Sequence, residues 1–187
     1  MNQRLSVDPS LLAAASAGDP AALDAVLRAV WPHAYRIALS ILRRVASAED
    51  AAQNACAVLM HAIARLREPG AFGVWVYRIV VREALALERR APAFDELEPE
   101  AFVSTSGLSD ADVRIDVLRA LASLTSSERA AIALHYYGEA TSTEIGAILG
   151  MPNGTVRYHL ARARKKLETL LDAHRPACTL KGAVRAD

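Results

Sequence analysis

The segment TEIGAILGMPNGTVRYHLARARKKL (residues 143–167) reads as two helices joined by a tight turn, the second carrying five basic residues and no acid. Glu144–Leu149 places Ile145, Ile148 and Leu149 on one side of a short helix. Gly150-Met151-Pro152 supplies the turn, because Gly tolerates φ > 0 and Pro cannot continue a preceding helix. Asn153 or Thr155 is suited to cap the next helix by accepting a bond from a free backbone N–H. In that helix Val156, Leu160, Ala163 and Leu167 recur at helical spacing and form a core face. Tyr158, Ala161, Arg162 and Lys165 point the other way, with Arg157 and Arg164 on the flank. One apolar side, one basic side and entry through a tight turn suit insertion into a DNA major groove. A basic face alone is often only solvated. Turn, capped entry and absence of acid together raise nucleic-acid binding above that reading.

Upstream, Thr125-Ser126-Ser127-Glu128 caps a helix expected to run through Tyr137, and Val113–Leu124 is also periodic. Residues 8–67 read as helical throughout. Asp8-Pro9 and Asp19-Pro20 open two helices, the first ended by Gly18 and the second reaching about Trp31. His33–Arg44 continues the pattern. Ser47 is expected to cap the next helix, which carries Ala52, Ala55, Cys56, Leu59 and Ile63. Pro69-Gly70 breaks the chain before a long helix over 73–90. There Val76, Ile79, Val80, Ala84 and Leu87 face inward, and Arg78, Arg82, Arg89 and Arg90 face outward. Between 91 and 110 periodicity is lost, and Asp95, Glu96, Glu98, Glu100 and Asp110 stand with no basic residue. The fold class expected is all-α: two small helical domains, 8–90 and 112–173, joined by a flexible acidic linker, 91–111, and followed by a tail, 174–187.

Composition agrees with helices. Of 187 residues 52% are hydrophobic but only 5% aromatic, so the core is mostly Ala, Leu, Val and Ile. Ala and Leu form helices readily and strands poorly. The net charge of +1 is uninformative, but residues 1–90 carry +3, 91–116 carry −6 and 117–187 carry +4. Cys56 and Cys178 have no metal or CxxC spacing and imply a reducing compartment. Cys56 is expected to be a buried small hydrophobe. With no membrane-length apolar run and no signal pattern, the expected location is cytoplasmic, without membrane insertion. The five histidines (33, 61, 135, 159, 174) are scattered, and no nucleophile, carboxylate pair or phosphate-binding Gly loop stands at useful spacing. No enzyme activity, metal or cofactor is expected.

Two basic helical modules around an acidic linker, with a C-terminal helix-turn-helix, resemble the extracytoplasmic-function (ECF) sigma factors of bacterial RNA polymerase, in the sigma-70 family. GDPAALDAVLRAVWPHAYRIA (18–38) resembles the family's opening helices, and SAEDAAQNACAVL (47–59) its acid-then-Gln helix, with Glu49, Asp50 and Gln53 in place. PGAFGVWVYRI (69–79) resembles its Phe-x-x-Trp-Leu-Tyr-x-Ile signature through Phe72, Trp75, Tyr77 and Ile79. Residues 124–167 match the C-terminal module almost throughout.

The resemblance implies roles by position. Domain 8–90 would bind core polymerase and recognise and melt the −10 element. Glu49, Asp50, Gln53 and Asn54 would meet the β′ clamp helices. Arg67, Phe72, Trp75, Tyr77, Arg78 and Arg82 would open the −10 element and hold an unstacked base, whose extraction costs a few kcal/mol. Domain 112–173 would read the −35 element through Thr155, Arg157, Tyr158, His159, Arg162, Lys165 and Lys166, and meet the β flap. Arg157 and Arg162 suit guanine, which Arg bonds in bidentate fashion. Promoter DNA, core RNA polymerase and an anti-sigma factor are the implied partners.

The chain departs from the pattern at Asn54 and Cys56, where the family usually has Glu and a large apolar residue. It departs again at Val81, Arg82 and Ala86, where Arg, Asn and Asp are usual, and at Tyr158-His159. These departures motivate an alternative: a sigma-like regulator that binds an anti-sigma factor or DNA without initiating transcription. A dimeric helix-turn-helix repressor is a third reading, ranked last because nothing resembles a ligand-sensing domain.

Overall fold

Asp8 and Asp19 start the first two helices by the same device. Each carboxylate accepts from two backbone N–H groups of the first turn, Ser10 and Leu11 for Asp8, Ala21 and Ala22 for Asp19. A Pro follows each, pre-set for the first helical position. In the computed structural model, which describes residues 4–66, 68–90 and 121–173, these are α1 (Pro9–Ser16) and α2 (Pro20–Leu42). Then come α3 (Val45–Ala62) and α4 (Phe72–Arg90), with single 3-10 turns at Ile63–Arg65 and Pro69–Ala71 between them. The C-terminal half holds α5 (Ser126–Tyr136), α6 (Ser142–Leu149) and α7 (Asn153–Ala173). No strand occurs among the described residues, and the all-α class stands.

Three local expectations are corrected. First, the helix opened at Asp19 does not end near Trp31: α2 runs unbroken through Pro32 for 23 residues. An interior Pro costs about 3 kcal/mol. Val26, Val30, Ile37 and Ile41 on the same helix are all essentially fully buried, and each contributes about 1.5–3 kcal/mol, so packing outweighs the lost bond. Second, Ser47 does not cap α3: the helix starts at Val45, so Ser47 lies inside it, and the N-cap position, Arg44, makes no side-chain cap bond. Arg43 takes the left-handed conformation (φ 61°) and Arg44 is extended, so the chain turns and restarts a helix at once. Third, neither Asn153 nor Thr155 caps α7. Asn153 is its first residue, and its side-chain amide donates to Thr143 Oγ1 at 3.2 Å. Cys56 is half-buried, and burial pushes its thiol pKa up.

α2 is the centre of the fold, lying against α1, α3, α4 and α5. Val76, Val80 and Ala84 of α4 are buried as expected, while Leu87 is half-buried. Capping boxes start α5 and α6: Thr125 with Glu128, and Thr141 with Glu144, each side chain bonding the other's backbone N–H. Gly150 ends α6 at φ 67°. Closure of the helix-turn-helix is tight: Met151 N donates to Gly146 O at 3.0 Å. A Cβ on Gly146 would lie 2.7 Å from the Met151 carbonyl oxygen.

The two halves pack on each other. α5 rests on α2 and α6 on α4. Arg129 of α5 is 4% exposed, and its Nε donates to the Ile41 carbonyl of α2 at 2.8 Å. Its Nη2 pairs with Glu88 of α4. Arg78 of α4 donates to the Ala147 carbonyl of α6 at 3.1 Å, and Arg4 pairs with Glu144. Arg67, the linker 91–111, residues 113–120 of the stretch expected to be helical and the tail 174–187 lie outside the described residues.

Candidate nucleic-acid interface

α7 presents the basic face read from its spacing. Val156, Leu160 and Ala163 are buried, and Leu167 is half-buried against the same core. Thr155, Arg157, Tyr158, Arg162, Arg164 and Lys165 are exposed, Tyr158 at 60%. His159 is half-buried beside the Tyr158 ring, and Lys166 is also half-buried. These side chains differ in what holds them. Arg157 and Lys165 make no side-chain bond among the described residues. Arg164 Nη2 sits 2.7 Å from His135 Nε2. Arg162 Nε lies 3.1 Å from Glu128 Oε1. Lys166 Nζ bonds Glu128 Oε2 at 3.2 Å and the Ser123 carbonyl at 3.0 Å. Glu128 is wholly buried. Burial raises its pKa, but the Thr125 backbone N–H and Lys166 outweigh burial and hold the carboxyl below its ordinary range.

Residues expected at the −10 element divide into core and cleft. Phe72 and Tyr77 are 3% and 2% exposed. Tyr77 Oη accepts from the Leu5 backbone N–H at 3.2 Å, which ties the N-terminal segment to α4. Trp75 is half-buried, 6.2 Å from the Phe72 ring, and with Arg78 lines an open cleft of about 440 Å³. The cleft's other walls are Ala62, Arg65, Leu66, Glu68, Ala71 and Val74. A mostly apolar wall with an indole and a guanidinium suits a flat heteroaromatic ring with polar edges. Arg82 is exposed and pairs with Glu83 at 3.1 Å. On α3, Glu49, Asp50, Gln53 and Asn54 all stand on the exposed side, opposite Ala48, Ala51, Ala52 and Ala55.

Sequence reasoning missed Arg65 and Glu68 in the cleft, and the grip of Glu128 on the basic face. Glu128 was legible only as a cap. Its partners lie 34 and 38 residues away, where no local spacing rule reaches. Among the described residues no cluster of three or more His, Cys, Asp or Glu could hold a metal, and no helix is long and apolar enough to cross a membrane.

Residues 26–94 match the family Sigma-70 region 2, and residues 114–167 match Sigma-70, region 4. The ECF RNA polymerase sigma factor SigM of Mycobacterium tuberculosis H37Rv is 32% identical over 165 residues, covering 88% of this chain and 84% of the relative. The chain belongs to the ECF sigma factors. A second member, the ECF RNA polymerase sigma-E factor of Escherichia coli K12, is 30% identical over 90% of this chain and 95% of its own. Two solved structures share the fold. One is CnrH in complex with the cytosolic domain of CnrY (TM-score 0.68, 24% identity, 88% of this chain and 97% of that one). The other is the sigma factor RpoE in complex with the anti-sigma factor NepR, from Bartonella quintana (TM-score 0.65, 21% identity, 81% and 98%). The cleft therefore lies in region 2 of this sigma factor and the basic face in region 4.

Proposed function

We propose that this alternative sigma factor divides promoter recognition between three surfaces. The exposed face of α7, with Thr155, Arg157, Tyr158, Arg162 and Lys165, reads the −35 element, and His159 and Lys166 stand at its edge. The cleft of Trp75 and Arg78 takes an unstacked base of the −10 element, with Arg82 and Arg67 toward the phosphates and Phe72 and Tyr77 supporting from the core. The outer side of α3, with Glu49, Asp50, Gln53 and Asn54, docks on the β′ clamp helices of core polymerase, and the C-terminal module meets the β flap. The reading is carried by α7: a helix-turn-helix whose outer face holds Arg157 and Lys165 without a side-chain partner among the described residues, in the part of the chain that matches region 4. Action on promoter DNA with core polymerase places the protein in the cytoplasm, as a regulator rather than an enzyme. An anti-sigma factor is the partner expected to hold it inactive.

The closed packing of the two halves describes a resting state. Elements centred near −35 and −10 are about 25 base pairs apart, roughly 85 Å at 3.4 Å per pair. Halves in direct contact do not span that distance on straight DNA, and Arg78 is occupied by the Ala147 carbonyl. The 30 residues between Arg90 and Leu121 reach at most about 100 Å, enough once the contact opens.

The test mixes the purified protein with bacterial core RNA polymerase and fragmented genomic DNA, and sequences run-off transcripts. Transcripts sharing an upstream −35/−10 pair are expected. A folded protein that neither binds core nor yields transcripts would replace this reading with the sigma-like regulator.

A further inference from the structure

Glu128 is a completely buried carboxylate placed under the basic face of α7, against Arg162 and Lys166. Its Oε2 serves the capping box through the Thr125 N–H at 2.9 Å, and takes Lys166 Nζ at 3.2 Å. Its Oε1 has no hydrogen-bond donor among the described residues, and its nearest counter-charge is Arg162 Nε at 3.1 Å. Arg162 and Lys166 stand four residues apart on α7, so one carboxylate reaches both. A helix cap needs only one of these oxygens. The other makes only a charge contact, with Arg162.

We infer that Glu128 is a positioning residue for DNA reading: it holds Arg162 by Nε so that the terminal Nη pair is presented to a guanine of the −35 element. The inference rests on the −35 reading proposed above. A bidentate contact to guanine O6 and N7 uses two parallel donors at the end of the guanidinium plane. Those two groups make no hydrogen bond among the described residues, and the side chain is 49% exposed. A free arginine would lose rotamer freedom on binding, and a guanidinium already drawn to a buried carboxylate by the charge contact at its inner nitrogen loses less. The same carboxylate draws Lys166 inward, onto Glu128 and the Ser123 carbonyl. The basic run is thus split in function. Arg162 is aimed at a base, Lys166 neutralises the carboxylate, and Arg157 and Lys165 are left for phosphates.

The experiment is selection from duplex DNA with a randomised stretch, using the full chain, for wild type, Glu128→Gln and Arg162→Ala, with a thermal melt on each. Glutamine keeps an oxygen for the Thr125 N–H but loses the charge that holds Arg162. The wild type is expected to enrich guanine at one position by roughly five- to hundredfold. Arg162→Ala and Glu128→Gln should both lose that enrichment and keep the preferences elsewhere. A melt shift in Glu128→Gln with an unchanged preference at that position makes Glu128 a cap only and overturns the inference. Enrichment of no sequence by wild type overturns the −35 reading and this inference with it.

Discussion

Arg129 caps a helix to which it does not belong: its Nε donates at 2.8 Å to the carbonyl of Ile41, 88 residues earlier and one residue short of the end of α2. The last four carbonyls of a helix lack intrahelical donors, and that end carries partial negative charge. A buried guanidinium answers both needs. Arg78 makes the reciprocal bond, from α4 to the Ala147 carbonyl in the last turn of α6. Each half thus closes a helix end in the other, and Glu88 compensates the charge of Arg129.

Arg129→Ala should therefore cost on the order of 3 kcal/mol, because the carbonyls of Ile41 and Leu124 both lose their donor. Arg129→Lys should recover little, since a point ammonium cannot reproduce a fork that reaches Ile41, Leu124 and Glu88 together. Urea unfolding gives the cost, and small-angle scattering gives the separation of the halves. An unchanged midpoint with an unchanged radius would show that apolar packing alone joins them.

Acid sensitivity should trace to Glu128. Its folded pKa is depressed, so the stabilisation it confers is complete above the unfolded value, about 4.3 for Glu. That stabilisation is lost as pH falls through the lower, folded value. Melting curves of wild type and Glu128→Gln should differ most near neutral pH and converge as the medium is acidified below that range. Glu144, also depressed, titrates in both proteins and cancels from the comparison. Parallel curves down to pH 3 would mean that the carboxylate is not the group responsible.

Gly146 and Gly154 lie eight residues apart and should respond oppositely to alanine. At Gly146 the new Cβ would meet the Met151 carbonyl oxygen at 2.7 Å, a backbone atom fixed by the turn. A loss of about 1–3 kcal/mol is expected, with weaker duplex binding because the angle between α6 and α7 must shift. At Gly154, in the first turn of α7, nothing lies within 4 Å. Alanine there should stabilise by about 0.4–1 kcal/mol through the unfolded chain. Thermal melts of the two variants decide it, and equal shifts would mean that the turn relaxes freely.

What could be read in advance was whatever obeys a local rule. Asp8-Pro9 and Asp19-Pro20, the Thr125–Glu128 box and the Gly150 turn are each set within four residues, and each stands where its spacing put it. Pro32 misled because its cost is local while the packing that overrides it comes from α3, α4 and α5. Ser47 misled because a cap depends on where the preceding chain turns, and the left-handed Arg43 moved that point three residues back, to Arg44. Region 2 signature residues could be named by likeness, but spacing alone could not sort Trp75, in the cleft, from Tyr77, in the core. Tyr77 is committed to Leu5, 72 residues away. The charge partners of the basic face were invisible for the same reason.

The division of labour on α7 gives a last expectation, read in the salt dependence of binding to any duplex. A cation that meets a phosphate releases a counterion, so removing it lowers the slope of log K against log salt by about one. Lys165 and Arg157 have no protein partner among the described residues, so Lys165→Ala and Arg157→Ala should each lower the slope by about that amount. Lys165→Ala should weaken all sequences alike. Arg164 stands beside His135 and off the outward face, so Arg164→Ala should change the slope by clearly less. If instead the three variants lose the same slope, the protein contact of Arg164 does not survive on DNA. The basic face would then act as one undifferentiated patch of charge, and the separation of aimed from free cations on α7 would fail with it.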